Sequence, residues 1–174
     1  MGELEFRAAT EADIDAIVLL VTRAYRGESS RAGWTTEADL LDGQRIDPEV
    51  LRADMRKPRS RVLLALRGGA LVACAHVTDD DGRGYFGMFA VEPTLQSGGI
   101  GRAVVAECER LAREEWRLPL MRMSVIDLRG ELIAWYVRLG YRRTGTHLPF
   151  PYGDARFGVP RRDDLRFEIL EKPL

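Results

Sequence analysis

Apolar and polar positions along this chain keep switching between a period of two and a period near 3.6. Leu4–Ala8 alternates as a short strand does. Thr10-Glu11-Ala12-Asp13 then has the composition of a helix start, with Thr10 able to cap free amides and Asp13 suited to the positive helix end. Ile14, Ile17, Val18, Val21 and Tyr25 recur at helical spacing, which predicts a helix with one apolar face over Asp13–Tyr25. Gly27, Gly33 and Gly43 break up the stretch from Arg26 to Asp47, which holds Trp34 and a short helical candidate around Thr36–Leu41. Asp47-Pro48 pairs a capping residue with a proline at the first helical position and predicts a second long helix, ending near Arg56.

Arg61–Leu66 and Ala70–Val77 have the pattern of strands, and Gly68-Gly69 between them signals a hairpin. Asp79–Gly84 is a polar turn into a third strand, Tyr85–Val91. Gly99–Trp116 follows as a helix that turns Val104, Val105, Cys108 and Leu111 inward. Then come a strand at Leu120–Ile126, a helix at Arg129–Leu139 stopped by Gly140, and a strand at Tyr141–His147. Leu148–Asp163 is rich in Pro and Gly and predicts a long loop before a closing strand, Leu165–Leu170. This order predicts an α/β domain with a mixed sheet, and no linker or repeat divides residues 1–174.

Composition narrows the function classes. At 174 residues the chain is long enough for one real core, and 26 basic against 27 acidic residues leave a formal charge of −1. That balance gives no electrostatic reason to favour nucleic acid or an anionic membrane. No stretch approaches the ~20 apolar residues of a membrane span, and the N-terminal residues hold no apolar signal core. Cys74 and Cys108 form no CxxC pair, so neither a disulfide nor a metal site is expected, and a cytoplasmic protein is.

The most informative segment is Val91-Glu92-Pro93-Thr94-Leu95-Gln96-Ser97-Gly98-Gly99-Ile100-Gly101-Arg102, a loop that leaves a strand and opens a helix. The first amides of a helix lack internal partners and carry partial positive charge, which suits a pyrophosphate. Glycines 98, 99 and 101 keep side chains away from those amides, and Arg102 offers a forked charged donor. A tight turn before a helix would account for the same glycines. A Walker A loop is excluded because Arg102-Ala103 follows Gly101, and a dinucleotide fingerprint starting at Gly99 would need glycine where Val104 stands.

Val91-x-Pro93 followed by Gln96-x-x-Gly99-x-Gly101 resembles the acetyl-CoA signature of the GNAT superfamily of N-acetyltransferases. The run Glu131-Leu132-Ile133-Ala134-Trp135-Tyr136-Val137-Arg138-Leu139-Gly140-Tyr141 is similar to that family's Tyr-x-x-x-Gly-Phe/Tyr element. The resemblance spans roughly residues 60–147. It implies a single GNAT-like domain with a mixed, mostly antiparallel sheet flanked by helices, using acetyl-CoA as co-substrate and an amine of a small molecule or peptide as acceptor. By the same resemblance, main-chain groups of Phe89, Ala90 and Val91 meet the pantetheine arm, and the stretch from Gln96 through Ser97, Gly98, Gly99, Ile100 and Gly101 to Arg102 meets the pyrophosphate. Where the family often has Asn contacting the cofactor, this chain has Arg129, which is either solvated or meets a phosphate. Homodimers are frequent in the family, and the element order permits one.

Moving an acetyl group from a thioester to an amine requires a neutral amine, a stabilised carbonyl oxygen and a proton for the departing thiolate. The resemblance gives the last role to Tyr136, whose phenol stays protonated near neutrality. Spacing alone favours a core tyrosine with its hydroxyl satisfied locally. The predicted strand Tyr85–Val91 contains no carboxylate to serve as general base. Glu37 and His76 are the candidates, beside a water chain or an acceptor that binds already neutral. The loops around Trp34 and Leu148–Asp163 are expected to shape the acceptor pocket, with Trp34, Phe150 and Tyr152 as walls. Glu37 and Asp39 would attract a cationic amine, whereas Arg45 and Arg156 would suit a substrate carboxylate or phosphate. The rival reading is a non-catalytic acyl-CoA-binding or sensing module.

Overall fold

The computed structural model describes residues 2–174. Strand β1 (Leu4–Ala8) leads through a 3-10 turn, Glu11–Asp13, into α1 (Ile14–Tyr25). Thr10 and Asp13 brace this start together, the Asp13 carboxylate accepting the Thr10 amide at 2.8 Å. Arg7 grips the same carboxylate through two nitrogens, each at 2.8 Å, and holds it well below the usual carboxylate range.

A single helical turn, α2 (Gly27–Ser30), follows α1. The helix expected around Thr36–Leu41 does not form. The Thr36 hydroxyl accepts the Ala38 amide at 3.1 Å, a local bond that competes with helix. The chain then enters a two-residue strand, β2 (Leu41–Asp42). Asp47 caps α3 (Pro48–Arg56) as its sequence predicts, accepting the amides of Glu49 and Val50 at 2.8 and 3.1 Å.

Strands β3 (Ser60–Arg67), β4 (Ala70–Asp80) and β5 (Arg83–Val91) form the expected antiparallel hairpins, each slightly longer than its apolar run. Helix α4 (Ile100–Arg110) ends earlier than periodicity predicts. Leu111–Glu115 widens into a π-turn, closed by the Trp116 amide on the Leu111 carbonyl at 3.3 Å. After it come β6 (Leu120–Ile126), α5 (Gly130–Arg138) and β7 (Arg142–Pro149). The expected long loop contains a 3-10 turn, Ala155–Phe157, and β8 (Val159–Pro160), which pairs with β2 before β9 (Arg166–Pro173) closes the sheet.

The main sheet has the order β1-β3-β4-β5-β6-β9-β7 and is antiparallel except between β5 and β6. That parallel pair is joined only at Gly84–Met121 and Tyr85–Arg122. Beyond Tyr85 the two strands diverge, and Phe86–Val91 presents an unpaired edge to the gap. The register of β4 on β5 shifts between Cys74 and His76, and Met88 takes φ +47° there, a bulge that bends β5 at the gap.

Two apolar layers hold the sheet. On one face α4, the π-turn after it and α5 bury Val104, Cys108, Leu111, Leu132 and Ile133 against Ala73, Phe86 and Met123. On the other, α1 and α3 bury Ile17, Leu20, Val21 and Leu51 against Val62, Leu64 and Cys74. Each such side chain contributes about 1.5–3 kcal/mol by leaving water. The gap between β5 and β6 therefore opens between two rigid layers.

Candidate functional site

Two openings converge on this gap. The first is a groove of about 690 Å³ between the start of α4 and the face of α5, lined by Ser97, Gly99, Gly101 and Arg102 opposite Ala134, Trp135 and Arg138. Gly99 caps α4 with φ +78°, a left-handed conformation that costs other residues roughly 1–2 kcal/mol. A Cβ there would touch no protein atom within 4 Å, so Gly99 keeps the groove open. Gly101 is small for another reason: its Cβ would lie 3.2 Å from the Phe89 ring and 3.5 Å from Trp135, and its smallness lets α4 pack on these aromatics. Ile100 is fully buried in the core, so only its backbone is available at the groove.

Gln96 is placed differently from its neighbours. Its Oε1 accepts the Trp34 amide at 2.9 Å, and its Nε2 donates to Thr35 Oγ1 at 2.8 Å and to the Val91 carbonyl at 3.2 Å. The side chain thus straps the Trp34–Thr35 loop to the end of β5. Trp34, expected as a wall of the acceptor pocket, lines the groove. It meets the Trp135 ring edge-on at 5.9 Å, and Trp135 in turn stacks on Phe89 at 6.0 Å. Ala90 is buried against α1 and contributes packing.

Behind Trp135 lies an inner chamber of about 80 Å³ in the gap itself, lined by Tyr136, Tyr25, Glu37, Arg45 and Arg129. The Tyr25 hydroxyl donates to the Phe89 carbonyl on the unpaired edge of β5. Tyr136 is buried, its ring set edge-on to Phe86 and Trp135, and among the described residues its hydroxyl has no hydrogen-bond partner. Burial pushes its pKa well up, Tyr25 adds to the rise, and the charges of Arg129 and Arg45 oppose it. The phenol accordingly keeps its proton.

Glu37, expected on a short exposed helix, is instead buried at 5% exposure in a turn. Arg26 Nη1 reaches its Oε2 at 2.6 Å, Arg129 Nη1 its Oε1 at 3.0 Å, and Arg45 Nε approaches Oε2 at 3.6 Å. Burial alone would raise the carboxyl pKa, but these three guanidiniums outweigh it and hold the group below its ordinary range. A carboxylate held this way is a poor proton acceptor, and its charge is not free to attract a cationic amine. Arg129 is neither solvated nor at the groove: its second nitrogen donates to the Thr35 carbonyl, locking the same loop that Gln96 holds.

The second opening is a cleft of about 550 Å³ on the far side, reaching the chamber past Arg45 and Met88. Phe150 lines it, buried against Leu41, Ile126 and Leu165. Tyr152 does not. It is half-exposed, donating to the Arg162 carbonyl at 3.0 Å and accepting the Leu165 amide at 2.8 Å, and so pins its own loop. His76 lines the cleft with its Nε2 2.7 Å from Ser60 Oγ, and burial lowers its pKa. Arg156 is held by Asp154 at 2.6 Å and Asp39 by Arg31 at 2.8 Å. Cys74 and Cys108 are fully buried, and burial pushes the Cys74 thiol up to about 12. Tyr25 and Arg26, both central here, carried no local sequence signal beyond helical periodicity.

A splayed parallel strand pair, an open helix N-terminus on one side and a lined cleft on the other define a fold that passes a group between two ligands. The chain belongs to the acetyltransferase (GNAT) family, whose model matches residues 18–141. It is similar to an IAA acetyltransferase of Azospirillum brasilense, 30% identical over 123 residues that cover 69% of this chain and 72% of that protein. Its fold matches that of a ribosomal-protein-alanine N-acetyltransferase from Brucella melitensis, with a TM-score of 0.71, 23% identity and coverage of 98% and 99% of the two chains. It also matches a PaiA N-acetyltransferase from Thermoplasma acidophilum in complex with coenzyme A, with a TM-score of 0.69, 14% identity and 99% coverage of each chain. The protein is thus an acyl-CoA-dependent N-acetyltransferase. No helix among the described residues is long and apolar enough to cross a membrane.

Proposed function

We propose that the protein transfers an acetyl group from acetyl-CoA directly to a primary amine, with Tyr136 giving its proton to the departing thiolate. The observation that carries this reading is the unpartnered Tyr136 hydroxyl in the chamber, which the cleft adjoins directly and which a small pocket walled by Tyr25, Phe89, Leu132 and Trp135 links to the groove. When bound, acetyl-CoA supplies the activated thioester. The residues present suit it: free amides and an open Gly99 for a pyrophosphate, Arg102 and Arg138 nearby for its charge, and the unpaired edge of β5 for an extended arm. Among Phe89–Val91, the carbonyls of Phe89 and Val91 already accept Tyr25 and Gln96, and each keeps a second lone pair for a further donor.

The acceptor enters by the opposite cleft and brings its nitrogen to the chamber. Arg129 and Arg45 stand near the Tyr136 phenol, and their charges would favour negative charge developing beside it. Burial of both cysteines, with the Cys74 thiol raised to about 12, supports direct attack over a covalent relay. The test is CoA release from acetyl-CoA with pooled amino acids, polyamines, aminoglycosides and peptide N-termini. Release that depends on one pool is the expected result. Release at the same rate without any amine would contradict direct transfer.

A further inference from the structure

From the charges around the chamber we infer that the acceptor carries its own carboxylate beside the amine, received chiefly by Arg45. This rests on the acetyl-transfer reading above and names the substrate class of that site.

Three guanidiniums face one carboxylate. Glu37 takes its close contacts from Arg26 at 2.6 Å and Arg129 at 3.0 Å, leaving Arg45 at 3.6 Å with no hydrogen bond among the described residues. Arg26 is only 5% exposed, yet its Nε and Nη2 have no partner either. The other carboxylate on the cleft wall, Asp54, is paired with Lys57 at 2.7 Å, and His76 beside it is held neutral by burial. Nothing on the cleft wall therefore balances the excess positive charge at its inner end.

Arg45 is placed to use that excess. Its side chain is about a quarter exposed, it borders both the cleft and the chamber, and its guanidinium lies 4.8 Å over the Tyr25 ring. Stacking fixes the plane of the fork and leaves its edge available for two parallel bonds to a carboxylate. Phe150, Phe157 and Leu148 line the outer cleft and suit an apolar side group on the same molecule. The excess charge has a second effect, since neighbouring cations disfavour an ammonium ion. An amine anchored by its carboxylate would sit in the chamber neutral, which removes the need for a base on β5. Polyamines, with charge of the wrong sign, would be repelled.

Calorimetric titration of the CoA-saturated protein with N-acetylphenylalanine and N-acetylphenylalaninamide, two product analogues that differ in one charge, tests this inference. The acid should bind about 10- to 100-fold more tightly than the amide. Arg45→Gln should abolish that preference with acetyl-CoA affinity unchanged, and Arg45→Lys, which keeps the charge without the fork, should retain part of it. Equal binding of acid and amide, a preference surviving in Arg45→Gln, or no binding of either at millimolar concentration would overturn the inference. Steady-state rates separate the two readings. Acid binding through Arg45 with no CoA release from any amine would strike the acetyl-transfer reading alone. Turnover of spermidine or phenylalaninamide as fast as phenylalanine would strike this one alone.

Discussion

The groove at the start of α4 and the chamber on the far side of Phe89 and Leu132 are built in opposite ways. The groove is made from consecutive residues: a glycine-rich loop, the first amides of a helix, and side chains that keep out of the way. Its chemistry belongs to the backbone and is set by local conformation. The chamber is made from side chains that start far apart in sequence, Tyr25, Glu37, Arg45, Arg129 and Tyr136. Its chemistry belongs to buried charges that need one another. A site of the first kind should tolerate change outside its few small residues. One of the second kind should fail as a unit when Glu37, the carboxylate that its guanidiniums share, loses its charge.

Glu37→Gln should have the largest effect on the folded state, since it leaves three guanidiniums without their counter-charge. A loss of about 3–5 kcal/mol is expected from the denaturant midpoint. A loss below about 1 kcal/mol would mean that the chamber is not a coupled unit. The same pair gives a pH test. Because the folded pKa of Glu37 lies below its ordinary 4.5, its stabilising charge is complete above that value and is lost as pH falls through the lower folded pKa. The wild type should lose stability over that acid range, and Glu37→Gln should lack this component.

Gly99→Val attacks the groove instead. The left-handed backbone and the added side chain should weaken acetyl-CoA binding about tenfold or more, measured by calorimetry, with turnover at saturating acetyl-CoA little changed. Unchanged affinity in a folded variant would remove the helix terminus from cofactor binding. Trp34→Ala, which strips the edge-on cover from Trp135, should raise the KM for acetyl-CoA about three- to tenfold and leave the acceptor KM alone. The reverse pattern would return Trp34 to the acceptor side. Tyr152→Phe should cost only about 1 kcal/mol of stability and leave both KM values unchanged. A raised acceptor KM would make Tyr152 a pocket wall after all.

The same contrast explains what could be read from the sequence. The strands of the main sheet, the long helices and the loop-to-helix turn from Gln96 to Arg102 are legible because each depends on spacing within a few residues, whereas β2 and β8 are not. The roles of the two glycines were not, because Gly99 faces open space while Gly101 faces Phe89 and Trp135, which come from β5 and α5. Glu37 reads from the sequence as a base candidate on a short helix. It is buried between Arg26 and Arg129, the second of them 92 positions away, and no local pattern announces such a set. Trp34 is expected as a pocket wall, but its contacts with Trp135 and Gln96 come from distant segments that no local pattern names. The short helix expected at Thr36–Leu41 fails where the Thr36 hydroxyl takes the Ala38 amide and Glu37 turns into the chamber.

The measurement that bears most directly on the junction of the two regions compares Tyr136→Phe with wild type in both acetyl-CoA affinity and amine-dependent CoA release. The account predicts a fall in turnover of about 10²- to 10⁴-fold, with affinity within about twofold of wild type. Equal turnover in the two proteins, with affinity likewise unchanged, would remove Tyr136 from the chemistry and leave the chamber without its proton donor.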